Sequence, residues 1–257
     1  RGASGRRRAA AAAMAGKAGG KGVLRYRHAF KVLCPEALVT RIMGSRGATK
    51  DLIQEQTGCK LVVSNRDEYF PGTRLRVLVI LSDESLGILG ALNQVVDFVA
   101  ECGEREGSAP AAPLADGHQE FLGKEPGEYI LRLLIPSKAS GAIIGPKGAN
   151  VQALREQYRA KLFIEKLGVL DHDVVRLIAA SENLREALVR VNDCVQELSR
   201  DEAPFHDWAQ IRAFPPHAPG AGASAQGAPG AGIRAAASST RGASPRSTLH
   251  HLGGACV

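Results

Sequence analysis

At 257 residues, 44% hydrophobic and 23% charged, the chain is long enough for one or two domains and has no run approaching the ~20 apolar residues of a membrane span. Its five cysteines, Cys34, Cys59, Cys102, Cys194 and Cys256, are odd in number and form no C-x-x-C pair, which points away from zinc and disulfides and toward a reducing compartment. The formal charge is +7, residues 1–25 contribute all of it, and residues 26–103 balance nine basic against nine acidic side chains. A partner held mainly by phosphate neutralisation would want a basic domain face.

In chain order, residues 1–25 read as a basic disordered arm, with no carboxylate before Glu36. Residues 26–103 form a first unit. Its expected elements are a strand at 29–34, helices at 36–43 and 49–56, strands at 60–64 and 75–81 joined across the Pro-Gly of 67–73, and a long amphipathic helix at 86–101. Residues 104–127, mixed in Gly, Ala, Pro and charge, read as a flexible linker. Residues 128–200 repeat the order, with strands at 129–135, 161–165 and 173–180 and helices at 140–144, 150–157 and 184–199. Residues 201–257, rich in Ala, Gly, Pro and Ser, read as a disordered tail, too poor in large apolar side chains to offset the entropy of ordering. The fold class is therefore α+β: two βααββα domains, each a three-stranded antiparallel sheet covered on one face by three helices.

The two units superpose in sequence at an offset of 101 residues without a gap through their first halves. Gly44-Ser45-Arg46-Gly47 in the first matches Gly145-Pro146-Lys147-Gly148 in the second, each between two short helix patterns. Glycine at both ends lets the backbone turn sharply and approach a phosphate, and the helix that follows offers unpaired amides and the positive end of its dipole. Arg46 and Lys147 add a cation at the same place. One G-x-x-G is a weak signal, but two in one register form a strong one, and two copies of about 75 residues indicate tandem domains rather than a solenoid.

Both units resemble KH domains of the eukaryotic type I kind, closest to the Nova and poly(C)-binding class of RNA-binding proteins. The residues that carry the resemblance are 134–136 at a strand end, 142–145 running into the tetrapeptide, 56–59 before a strand, and 69–73 leading to Arg76 and Val77. The resemblance implies a groove that holds about four unstacked nucleotides, with the loop clamping their backbone. It also implies Val39, Ile42, Leu61 and Val63 as apolar walls of the first groove, with Lys60 and Arg76 facing bases. In the second groove it implies Ile143, Val151, Leu162 and Ile164 as walls and Lys161 facing bases. The expected partner is single-stranded RNA, pyrimidine-rich by the lean of the family, in mRNA processing in the nucleus or cytoplasm. No cofactor is expected.

Four departures from the family pattern stand out. Lys50 holds the place where the second unit keeps aliphatic Val151. Pro146 deletes an amide that could meet phosphate, and Arg159 replaces the helix-ending glycine at 58. Val175 stands where the first unit has Arg76, which leaves Arg176 one residue out and on the other sheet face. A nucleotide-hydrolysing enzyme is disfavoured, because 141–147 fails the P-loop spacing and the seven histidines show no metal pattern. The rival to RNA is a protein-interaction scaffold with degenerate grooves, in which Val62 and Phe163, outward by strand alternation, form an interdomain patch. Single-stranded DNA is the other alternative ligand.

Overall fold

The computed structural model describes residues 26–108, 119–200 and 202–216. Apolar runs, rich in β-branched residues in the last two, give β1 (His28–Cys34), β2 (Lys60–Val63) and β3 (Arg76–Ser82), and β3 lies between the other two, antiparallel to both. The helices α1 (Glu36–Met43), α2 (Ala48–Thr57) and α3 (Ser85–Ser108) follow the expected βααββα order. Ile88, Leu92, Val95 and Val99 bury the stripe of α3 in the core. That helix is long and apolar enough to cross a membrane, but its apolar stripe is already buried against the sheet. The second unit repeats the order with β4 (Tyr129–Pro136), α4 (Ser137–Ile144), α5 (Ala149–Tyr158), β5 (Lys161–Val169), β6 (His172–Ala179) and α6 (Ser181–Glu197).

The two sheets are joined. Strand β1 pairs antiparallel with β4, setting Lys31 opposite Leu134, Val32 opposite Leu133 and Leu33 opposite Arg132, so one six-stranded sheet runs β2-β3-β1-β4-β6-β5. Val32 and Leu133 hold the same place in the repeat and face each other, so a local twofold axis passes between them, normal to the sheet. β1 and β4 are the apolar inner edges of their units, and pairing them satisfies ladder groups that would otherwise be open. Val62 and Phe163 therefore do not form an interdomain patch: they lie on β2 and β5, at opposite ends of the sheet.

On the helical side of the seam, Asn192 Nδ2 donates to Ser85 Oγ (3.0 Å), and Gln196 Nε2 donates to Ala29 O (2.8 Å) and Asn192 Oδ1 (3.0 Å). Arg185 pairs with Asp97 across α6 and α3.

Two boundaries differ from expectation. The linker is built at both ends: α3 continues to Ser108, and its Glu106 carboxylate accepts the amides of Glu120 (2.7 Å), Phe121 (2.8 Å) and Leu122 (3.1 Å), with Phe121 buried in the core. The tail begins later than residue 201. A seventh helix, α7 (Glu202–Ala209), caps the sheet face opposite the other helices, burying Phe205, Trp208 and Ala209, and Phe214 exchanges backbone hydrogen bonds with Tyr69 at 2.9 Å each way. Phe205 and the chain's single tryptophan are the large apolar groups that pull this stretch out of an otherwise small-residue tail. The expectations for residues 1–25, 109–118 and 217–257 lie outside the described residues.

Gly58 ends α2 in the left-handed region at φ 69°, and Arg159 ends α5 there at φ 48°. A non-glycine residue pays about 1–2 kcal/mol for that conformation, while glycine gains freedom in the unfolded chain that returns part of it. Arg159→Gly is expected to stabilise the protein by about 0.5 kcal/mol, read as a higher urea midpoint at unchanged slope.

Candidate nucleic-acid interface

Both tetrapeptides fold alike. Helix α1 ends where the Gly44 amide donates to Thr40 O (2.9 Å), and α4 ends where the Gly145 amide donates to Gly141 O (2.9 Å). Gly44 (φ 65°, ψ −170°) and Gly145 (φ 73°, ψ 174°) occupy backbone space that is essentially restricted to glycine. A Cβ at Gly44 would meet Thr49 Oγ1 at 2.1 Å, and one at Gly145 would meet Asn150 Cγ at 2.5 Å. Gly47 (φ 89°) and Gly148 (φ 82°) face open space, so they are glycine for conformation alone.

Between the glycines, Arg46 (φ 55°) and Lys147 (φ 52°) are both in the left-handed region, and both side chains are exposed without an ion pair among the described residues. Two independent copies of one costly conformation, each with a free cation at its tip, indicate a functional constraint. Helices α2 and α5 start immediately afterwards with no side-chain cap, the Ala48 and Ala149 amides donating to Ser45 O and Pro146 O, so each loop brings the start of a helix, its dipole end and a cation to one point. Pro146 takes the first position of its turn, which suits its fixed φ but supplies one amide fewer than Ser45.

The aliphatic residues divide. Val39, Ile42, Leu61, Ile143 and Leu162 are at most 2% exposed and belong to the core. Val63 at the end of β2, Ile164 within β5 and Val151 on α5 are half-buried and reach the surface, as does Lys50 at Val151's place on α2. β2 and β5 are the outer edges of the sheet, where backbone groups are open to a ligand. Part of each edge is already engaged: Gln54 Oε1 accepts the Leu61 amide (2.9 Å), and Arg155 donates to Leu162 O (3.4 Å).

The candidate base-facing cations are unequal. Lys60 is exposed and unpaired among the described residues, whereas Lys161 is held by Glu128 at 2.8 Å, a hydrogen bond that raises its pKa. Arg76 donates to Ser64 O and to the Glu36 carboxylate (3.3 and 3.4 Å). Its counterpart is not Val175. Cys34 opposes Arg76 and Ile135, at Cys34's place in the repeat, opposes Asp173, so Asp173 stands where the first unit has Arg76. The shorter loop between β5 and β6 sets this register: the offset of 101 that holds through the first halves no longer applies beyond it, and Val175 lies two residues past the true counterpart. Asp173 is buried, accepting from Ser137 Oγ (3.1 Å) and Ser140 Oγ, and Ser137 in turn holds the place of Glu36. Arg176 does face the open side of the sheet, over the Phe163 ring at 5.6 Å.

A cavity of about 300 Å³ opens between α4, α5 and α6, lined in part by Ala142, Leu154 and Cys194. In the first unit Arg41, at Ala142's place, packs over Phe98 at 5.9 Å instead.

A family profile described as KH domain matches residues 29–97 and 130–193. Among curated proteins, the chain is 29% identical to the RNA-binding protein Nova-2 of Homo sapiens over 174 residues, covering 65% of this chain and 34% of that one. It is 25% identical to the RNA-binding protein Pasilla of Drosophila melanogaster over 161 residues, covering 62% of this chain and 20% of that one. The chain thus spans about a third of one of these relatives and a fifth of the other. Among solved structures, the fourteenth KH type I domain of human Vigilin is 16% identical, with 37% of this chain and 97% of that one covered and a TM-score of 0.28.

Proposed function

The chain belongs to the KH-domain family, and on that premise we propose that it binds single-stranded RNA through two grooves, each clamping a short run of unstacked nucleotides by its G-x-x-G loop. The observation that carries this reading is the repeated loop geometry, in which a left-handed Arg46 or Lys147 stands free beside an uncapped helix start. The phosphate backbone meets amides and a cation at the loop, and the bases meet Val63 and Lys50 in the first unit and Ile164 and Val151 in the second. Binding is selective for sequence, serves mRNA regulation, and takes place in the nucleus or cytoplasm; pyrimidine-rich targets and single-stranded DNA are to be compared directly.

The twofold between Val32 and Leu133 sets a further condition. Directions lying in the sheet plane are reversed from one unit to the other, so nucleotide tracks in the two grooves run with opposite polarity. One RNA filling both grooves must loop back on itself.

The test is a titration of one sequence as single strand and as duplex. The single strand is expected to bind at least tenfold tighter (about 1.4 kcal/mol), because A-form pairing hides the base edges a groove would read. Equal or tighter duplex binding would sink the proposal. Since the folded units are near neutral, the salt slope of the described core should correspond to only a few phosphates.

A further inference from the structure

The cavity between α4, α5 and α6 has a filled counterpart in the first unit. The buried stripes of the two long helices match one for one, Ile88, Leu92, Val95 and Val99 on α3 against Leu184, Leu188, Val191 and Val195 on α6. Cys194, one residue before Val195, therefore holds the place of Phe98, and Arg190, one before Val191, holds that of Gln94. Through the shared spacing of the first halves, Ala142 and Ala153 hold the places of Arg41 and Leu52. In the first unit Arg41 lies over the Phe98 ring and pairs with Glu101, and Gln94 Nε2 donates to Gln56 Oε1 (3.1 Å). In the second unit three large side chains give way to small ones around one point, and about 300 Å³ stays open over the buried Ile143, Leu154 and Val191. That is about twice the volume in which an apolar cavity holds benzene. The rim is polar: Arg190 is exposed with no ion pair among the described residues, and Gln157 and Tyr158 stand beside it as further donors. An apolar floor with a few polar groups at its mouth is the make-up of a small-molecule site. Val151 and Ile164 are not among the walls, so the cavity is separate from the groove proposed for RNA.

We propose that this cavity binds a small aromatic acid, its ring where Phe98 sits in the first unit and its carboxylate paired with Arg190. The ring follows from what is missing, since the first unit places an aromatic side chain and an aliphatic one at the same walls. The acid follows from charge: Arg190 is the one charged side chain among the walls and replaces a neutral glutamine.

The experiment uses the full chain with indole-3-acetate as the probe and two readouts: saturation transfer to the indole protons, and the rate at which a maleimide labels Cys194, resolved from the other cysteines by peptide mass. Cys194 is half-buried at the cavity wall, whereas Cys34, Cys59 and Cys102 are buried. Saturating indole-3-acetate is expected to slow the labelling of Cys194 by about fivefold or more. Tryptophol, the same ring with a hydroxyl in place of the carboxylate, is expected to need about tenfold more for equal protection, and Arg190→Gln to remove that difference. A153L/C194F, which restores the bulk of the first unit, is expected to abolish saturation transfer and to melt no lower than the parent chain. Should that variant not fold, Ala153→Leu alone keeps the reporter thiol and is expected to weaken protection by about tenfold. Absence of saturable protection by indole-3-acetate overturns the site. Equal protection by indole-3-acetate and tryptophol overturns the choice of an acid. Saturation transfer that persists in folded A153L/C194F places the ligand elsewhere and overturns the proposal as a whole.

Discussion

Asp-Asp in place of Ser45-Arg46 and Pro146-Lys147 together is expected to weaken single-stranded RNA binding by at least about 3 kcal/mol at low salt, more than a hundredfold. Each loop loses a charge-assisted contact, worth about 1.5–3 kcal/mol, and gains two carboxylates where phosphate would lie. The fold should survive. All four replaced residues are exposed, and aspartate tolerates the left-handed φ that Arg46 and Lys147 adopt better than most residues do. Unchanged binding at unchanged melting temperature would place the RNA site away from the loops.

The loops, the βααββα order and the six-stranded total were legible because each rests on local pattern: alternating strands, a helical stripe, and glycines fixed by backbone sterics. What escaped was set by distance along the chain. That β1 and β4 would pair follows from their being apolar inner edges, but either edge could also have been covered by a helix or loop. The docking of α7 hangs on Phe205 and Trp208, two aromatic residues in a stretch whose average composition gave no sign of folding. Asp173 was missed because loop length, not residue type, sets its register. Five aliphatic positions expected in the grooves turned out to be core, since a helical or strand period tells which face a side chain takes and not what covers that face.

The second large effect concerns the seam itself, where acid is expected to loosen α7. Lys31 on β1 of the first unit is fully buried, donating to His172 Nε2 on β6 of the second (2.9 Å) and to Gln210 O just after α7 (2.5 Å), with Trp208 at 5.1 Å. Phe70 and Trp208 flank the His172 ring at 5.6 and 6.0 Å, and Asp207 and Arg212 are the other charges acting on the cluster. Burial pulls His172 down to about 4, reinforced by the charge of Lys31, and burial pulls Lys31 down to about 7, reinforced by Arg212 and opposed by Asp207. The unfolded chain takes up a proton on its histidine near pH 6.5, while the folded chain resists until about 4. Stability contributed by this site therefore falls as pH drops from 6.5 to 4, by about 3 kcal/mol. Lys31 acts over a higher window: stability rises as pH rises from about 7 to 10.5, because the folded form loses its proton first. The double variant Lys31→Met/His172→Phe, which keeps bulk among the aromatic rings, should be the more stable protein at pH 5 and should lack this part of the pH slope. Urea unfolding from pH 4 to 8, followed by the fluorescence of Trp208, checks both statements. Parallel slopes for the two proteins would mean that the Lys31–His172 pair is not what makes the seam sensitive to acid.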